Sequence, residues 1–578
     1  MNQTILASVK LAPQYNIPDQ LPTINYASHL LLGQEKTIDS FNLASSLDNQ
    51  HLFLADFPGV NRIALFDALT TQAQNVTDHY LVASKSMQDE TQVAFNWQSS
   101  LPSEQVGKIA TQDKTYCYLR GRITRKQLIG QVVTKGNSSQ YQAGTLAENH
   151  YIFICAESLW KREGLWELVM QIIDEQKYKV NSELASIPLR SKIVLVGSSN
   201  FFSQIRQDDS IFMQYFPILA ELNHELDLTK YKEIQYIQWL QYIAQLSGIT
   251  IDKTALLPLF WYSAKLVEHQ QRLSLSMLAM SQLISQAAAY SASKSINAHA
   301  VATAIQKHVS RHNISEEFSA QSFDDKFIHL ATDGELTGQI NGLTVIDTGD
   351  YSYGEPARIT TSVHYGDGEV ADIERKSELG GNIHAKGMMI LSACLYRIFG
   401  RDAPLHLNAN IVFEQSYQEI DGDSASLAEY CCLMSAIAEK PVMQFYGVTG
   451  ALDQFGNVQA IGGINEKIEG FFNLCKRRGL TGKQGIIMPA TNVLQLNLMP
   501  EVIQAVNDGQ FVIHAISHMD EAIELLMQMP AGQADENNSF PQQSLYGLVQ
   551  QRLDKLAGHG DEVELTFFGK VLTKLGIL

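Results

Sequence analysis

Two stretches, residues 413–437 and 462–475, constrain this chain most. Each sets an apolar stripe of helical period behind a glycine-bearing break and puts one reactive side chain at the stripe's start. In the first, Leu427, Cys431, Met434 and Ala438 recur at the spacing of a helix with one buried face. That places Ser424 in the first turn behind Asp423, a good N-cap type, where free N–H groups and their partial positive charge suit an oxyanion. In the second, Gly462-Gly463 makes the break, Asn465 reads as the N-cap, and Ile468, Phe471, Phe472 and Cys475 form the stripe. Lys467 is then the second helical residue, in one column with Phe471 and Leu474. The helix dipole and burial both lower its pKa there. A lysine that stays neutral near pH 7 is a competent base for a serine hydroxyl. Spacing alone also admits the ordinary readings, a capping serine and a solvated surface lysine.

The letters around both residues resemble the proteolytic domain of Lon proteases, where a serine in a DGxSA-type loop pairs with a lysine in a GGxxEK-type turn. Here these read Asp421-Gly422-Asp423-Ser424-Ala425 and Gly462-Gly463-Ile464-Asn465-Glu466-Lys467. Each motif occurs once, in the family's order, and the likeness runs from about Gly338 to about Leu526. The resemblance implies a Ser424–Lys467 dyad. It also implies that Thr449, at the end of an expected strand over residues 444–449, sets a hydroxyl on the lysine. Glu414, Asp421 and Asp423 are supporting candidates. Glu414 and Asp421 could raise the lysine's pKa, bind substrate or fix the loop, and the sequence does not choose among these. Lon assemblies are hexameric rings with sites facing an inner chamber, so similarity implies a homo-hexamer.

Ahead of this domain, residues 33–47 look like the helix that opens Lon-type AAA+ modules, followed by a buried strand at residues 51–55 and a turn with Pro58-Gly59. A phosphate loop belongs at that turn. Aligned on Gly59, its glycines are replaced by Asp56 and Asn61, its lysine by Arg62 and its magnesium-binding hydroxyl by Ile63. Asp56 repels phosphate, Ile63 cannot bind a metal, and Arg62 alone could touch an anion. The strand at residues 151–154 ends in Cys155 and Ala156 where such ATPases carry an Asp-Glu pair, and Glu157 falls one place late, on the other face of a strand. Residues 192–196 form a second buried strand resembling the sensor-one segment, and Ser276 takes the place of the sensor-two arginine. The frame is kept and the nucleotide chemistry is lost: no cofactor is expected, with ATP and magnesium both doubtful.

The fold class is therefore α/β, a degenerate AAA+ α/β module with a helical lid followed by a Lon-type α/β proteolytic domain. The expected boundaries are an extended segment at 1–28, the α/β subdomain at 29–225 and the lid at 226–311, with a stripe of Leu256, Leu259, Phe260 and Ser263. A linker at 312–326, the proteolytic domain at 327–529, and a linker with a helical tail at 530–578 complete the chain. Within the tail, Leu545, Val549, Leu553 and Leu556 define an amphipathic helix, and an apolar end follows at residues 565–578.

Formal charge is −18, which argues against a general nucleic-acid surface. The six cysteines (Cys117, Cys155, Cys394, Cys431, Cys432, Cys475) are scattered without a CxxC and read as reduced core thiols. No signal-like start and no run of about 18 apolar residues occurs. A cytoplasmic location, away from any membrane, is expected. His514 and His518 bracket a strand end without further spaced ligands, so no metal site is expected. The function expected is a serine endopeptidase that cleaves unfolded or loosely folded proteins without ATP hydrolysis. The alternatives are an ATP-dependent protease with a divergent nucleotide site and a non-catalytic adaptor or holdase on the same frame.

Overall fold

The apolar run Leu52–Ala55 is buried along its whole length and lies inside a five-stranded parallel sheet ordered Ile218–Glu221, Leu52–Ala55, Lys192–Gly197, Asn149–Cys155, Lys114–Leu119. Strands covered on both faces read as continuous apolar runs, which is why the three central strands were visible in the sequence, whereas the less buried edge strands Ile218–Glu221 and Lys114–Leu119 were not read from it. The structure, a computed structural model, describes residues 4–22, 27–72, 77–85, 93–100, 107–135, 138–162, 164–181, 184–349, 351–400, 405–416 and 419–558. The chain divides into two compact units. One is Tyr15–Val267 with Arg272–Ala304; the other is Ile305–Leu578 with Met1–Gln14 and Glu268–Gln271.

The first unit holds the parallel sheet, preceded by the expected helix, now Glu35–Ser46. An antiparallel sheet of His79–Lys85, Val93–Gln98 and Gly107–Gln112 is inserted before the parallel sheet's next strand and was not read from the sequence. The lid stripe is as expected: Leu256, Leu259, Phe260 and Ser263 are fully buried on the helix Lys253–Leu266.

The second unit is built on an eight-stranded mixed sheet ordered Thr4–Ile5, Val512–Ile516, Gly485–Pro489, Tyr446–Val448, Gln339–Asp347, Ser352–Tyr365, Leu407–Glu414, Val370–Asp372. Side chains alternate between its faces. Ile486, Met488, Ile513 and Ala515 pack with Ile468, Phe471 and Phe472 of the helix Ile464–Arg478. Ile487 and Ile516 pack with Leu427, Cys431 and Met434 of the helix Ser426–Ala438. The two helices that flank the candidate site thus lie on opposite faces of one sheet.

Three expectations change. The start of the 1–28 segment is no loose lead-in: Thr4–Ile5 pairs antiparallel with Val512–Ile516, and Leu6 and Leu11 enter the core. Within 312–326 the chain forms a helix, Ile314–Asp324, anchored by buried Phe323, which polar composition had hidden. The linker from residue 530 has no helix or strand but is tied down, with Ala531 buried and its N- and C-terminal ends hydrogen-bonded together from Leu545 N–H to Pro530 O at 2.9 Å. The tail helix Leu545–Leu556 buries its stripe against this chain's own core. The apolar end at 565–578 lies outside the described residues. All six cysteines are free. Among the described residues, no helix is long and apolar enough to cross a membrane.

Candidate active site

Ser424 and Ala425 form a turn immediately before the helix Ser426–Ala438 rather than its first turn. Asp423 therefore does not cap through its side chain. Its carbonyl oxygen accepts the Ser426 N–H at 3.1 Å and the Ser426 hydroxyl at 2.8 Å. The Ser424 backbone is pinned to the end of the strand Tyr446–Val448: its carbonyl accepts the Gly450 N–H at 2.8 Å and the Thr449 hydroxyl at 3.2 Å. Leu427 N–H returns a bond to Gly450 O at 3.1 Å.

On the other face, the helix Ile464–Arg478 is capped by Gly463, not Asn465, so Lys467 closes the first turn instead of standing second. Asn465 points elsewhere and donates to Gln495 O at 2.9 Å. This helix lies backbone to backbone on the strand Ser352–Tyr365, where a Cβ on either Gly354 or Gly470 would collide with the opposing backbone. That contact fixes the height of Lys467. Its Nζ reaches Ser424 Oγ at 2.8 Å and Thr449 Oγ1 at 3.3 Å. Lys467 is 4% exposed and Thr449 is fully buried, while Ser424 keeps partial access to solvent. Burial lowers the Lys467 ammonium to about 8, against the opposing pull of the Asp423 carboxylate. The expected cause was partly the helix dipole, but desolvation is the main one. Ser424, Lys467 and Thr449 converge at the end of one strand.

The other candidates are placed differently. Asp421 accepts the N–H of Gly422 at 2.9 Å and of Ile383 at 3.2 Å, so it fixes the loop. Glu414 accepts the Thr360 hydroxyl at 2.8 Å and lies 3.7 Å from the Arg358 guanidinium across the sheet, with no contact to Lys467. His514 faces the Tyr446 hydroxyl at 3.3 Å, whereas His518 caps the helix Met519–Met527. No metal-holding group of three or more His, Cys, Asp or Glu occurs among the described residues. Sequence reasoning missed a buried cluster of His384, Asp372, Glu374 and Glu429. The one available signal was Glu429 itself, a charge inside the apolar run of the helix that follows Ser424.

Residues 405–529 match the Lon protease (S16) C-terminal proteolytic domain, residues 250–311 the archaeal LonB AAA+ ATPase lid domain, and residues 105–223 the LonB-like AAA domain. A Lon protease homolog of Haemophilus influenzae is 35% identical over 73% of this chain and 72% of its own length. The corresponding Escherichia coli protein is 34% identical over 70% and 72%. The chain belongs to the Lon protease family. An archaeal Lon protease of Thermoplasma volcanium is more distant, 23% identical over 63% of this chain and 57% of its own.

In this Lon family chain the turn where a phosphate loop belongs is filled by its own side chains. Arg62 Nε is 2.6 Å from Asp56 Oδ2, Nη2 is 3.1 Å from Oδ1, and Nη1 donates to the Tyr118 hydroxyl at 2.6 Å. The guanidinium expected to be open to an anion is thus committed, and its pKa is pushed up chiefly by the Asp56 bond. Gly59, at φ 112°, abuts the Ser276 hydroxyl, and its carbonyl accepts the Leu278 N–H at 2.8 Å. Asn61 caps the following helix by accepting the Ala64 N–H at 3.2 Å, and Ile63 is half exposed. Cys155 and Ala156 are buried, and Glu157 lies not on a strand but on the exposed side of the short helix Ala156–Trp160. Ser276 caps the helix Met277–Ser291, accepting from Ala279 N–H.

Proposed function

We propose that this Lon family chain is a serine endopeptidase that uses Ser424 as nucleophile and Lys467 as general base, and that cleavage needs no ATP hydrolysis. The observation that carries the reading is the 2.8 Å contact of a buried lysine amine with a half-buried serine hydroxyl. Burial keeps a neutral fraction of Lys467 available near neutral pH. Neutral Lys467 takes the Ser424 proton as Oγ attacks a peptide carbonyl, giving a tetrahedral oxyanion. The N–H groups of Ser424 and Ala425 have no acceptor among the described residues and immediately precede the helix Ser426–Ala438, which suits them to that oxyanion. The C–N bond then breaks, the amine leaves with the proton from Lys467, and water repeats the sequence on the ester. Thr449 holds the amine by its hydroxyl.

ATP independence is supported by the Asp56–Arg62 pair and by Ser276 against Gly59, which occupy the space that a phosphate cradle requires. Substrates are then proteins already unfolded or loosely folded, and a homo-hexamer in the cytoplasm follows by analogy with the family. An adaptor or holdase has no use for a desolvated lysine on a serine. Incubating the purified protein with unfolded casein, with and without ATP and magnesium and beside Ser424→Ala, tests the proposal. Equal cleavage in both conditions, absent in the variant, is expected; cleavage only with ATP removes the independence, and cleavage by Ser424→Ala removes the dyad.

A further inference from the structure

A buried polar cluster lies beside the nucleophile's helix and takes no part in the dyad chemistry. His384 stands in the first turn of the helix Asn382–Phe399, Asp372 ends the strand Val370–Asp372, Glu374 lies in the short helix Ile373–Lys376, and Glu429 lies in the first turn of Ser426–Ala438. His384 Nε2 is 3.1 Å from Asp372 Oδ2 and 3.9 Å from Glu429 Oε1, and all three side chains are almost wholly buried. Glu374 accepts the Phe413 N–H at 3.0 Å, and the Phe413 ring lies against the imidazole. Three carboxylates and one imidazole therefore face one another from four elements. Among the described residues, Glu414, beside Phe413, and Cys432, on the Glu429 helix, are further titratable neighbours.

Unpaired charge is costly in such surroundings. Burial pushes Glu429 up to about 7 and raises Glu374. Burial alone would push His384 down, but Asp372, Glu429 and Glu374 outweigh it and hold the imidazolium up.

The helix that carries His384 also touches the chain on both sides of Ser424. Before Ser424, Gly381 N–H donates to Ile420 O at 2.9 Å and Ile383 N–H to Asp421 Oδ1 at 3.2 Å. A turn later Gly387 abuts Asp423, where an added Cβ would lie 3.1 Å from the Asp423 Cβ. After Ser424, His384 faces Glu429. One helix start thus brackets the nucleophile.

We propose that His384 and Glu429 are positioning residues for Ser424: the proton on His384 seats the helix Asn382–Phe399 against Ser426–Ala438, and its loss as pH rises releases the nucleophile. This rests on the peptidase reading above. Without that proton, three buried carboxylates face each other with no cation, and like charges in a water-poor site repel strongly. Lys467 alone gives a rate that climbs with pH to a plateau. The cluster adds a falling limb that Lys467 by itself does not give.

The test is kcat and KM for a fluorogenic unfolded-peptide substrate from about pH 6 to about pH 10, for wild type, Glu429→Gln and His384→Gln, with circular dichroism at each pH. Wild-type kcat is expected to rise and then fall with KM little changed. In Glu429→Gln one carboxylate fewer holds the imidazolium, so the falling limb moves to lower pH. In His384→Gln the limb is absent and kcat is lower by about tenfold or more. A wild-type profile that stays on its plateau, or a limb unmoved in Glu429→Gln, overturns the proposal. Should His384→Gln not fold, the Glu429→Gln shift decides by itself. Wild type that cleaves nothing at any pH removes the peptidase reading and this proposal together, whereas cleavage with an unmoved limb removes only the proposal.

Discussion

Gly354 and Gly470 meet backbone to backbone, and this contact sets the distance of the lysine-bearing helix from the strand Ser352–Tyr365. A side chain on Gly470 has no room, so the helix must lift and draw the Lys467 amine away from Ser424. Gly470→Ala is expected to cost about 1–3 kcal/mol of stability by overpacking. It should also lower kcat far more than it changes KM, because a shift of about 1 Å in a catalytic group costs on the order of a hundredfold. Urea unfolding and steady-state kinetics read the two effects separately.

Thr449 is fully buried, with its hydroxyl between the Lys467 amine and the Ser424 carbonyl. Thr449→Val keeps the shape and deletes the hydroxyl. A hydrogen bond to a charged group is worth about 1.5–3 kcal/mol, so kcat should fall by about tenfold to a hundredfold with the fold intact. Kinetics alongside circular dichroism check this; unchanged kcat would make Thr449 an ordinary strand residue.

Lys467 also makes a stability prediction with a definite sign. Its folded pKa, about 8, lies below its ordinary value of 10.5, so between those two the unfolded chain binds more protons and stability rises with pH. Below about 8 the full cost of burying the ammonium is present, on the order of 3 kcal/mol. Lys467→Met should therefore be inactive yet more stable than wild type at pH 7, with the gap narrowing as pH climbs past 8. Urea midpoints for both proteins across that range give the answer.

The Asp56–Arg62 pair and the Ser276–Gly59 contact predict that ATP with magnesium leaves the thermal midpoint unchanged, since a ligand that does not bind the folded chain cannot stabilise it. Calorimetric titration with the nucleotide should show no heat of binding. A midpoint raised by millimolar ATP would show that the turn reopens.

What the sequence made legible follows from where the physics is local. Buried parallel strands such as Leu52–Ala55 and Asn149–Cys155 are continuous apolar runs, and the lid and tail stripes are periodic, so all were readable. The residues of the proposed dyad were readable as motifs, but their places on the helices were shifted. Ser424 precedes its helix because Ala425 is the cap and the Asp423 carbonyl closes a turn onto Ser426 ahead of it, and Gly463 displaces Asn465 as the cap on the lysine side. The helix Ile314–Asp324 was hidden by its polar letters, with Phe323 as its single buried anchor. The cluster of His384, Asp372, Glu374 and Glu429 joins segments far apart in sequence, and no local spacing records it.

Trapping the acyl-enzyme tests most directly whether Lys467 activates Ser424. A peptidyl β-lactone leaves a stable ester on whichever nucleophile opens its ring, and mass spectrometry of the digested protein locates that ester. A single adduct on Ser424 is expected in wild type, forming faster as pH rises through about 8, and no adduct in Lys467→Met. An adduct on another residue, or one on Ser424 that forms as fast in Lys467→Met, would contradict it.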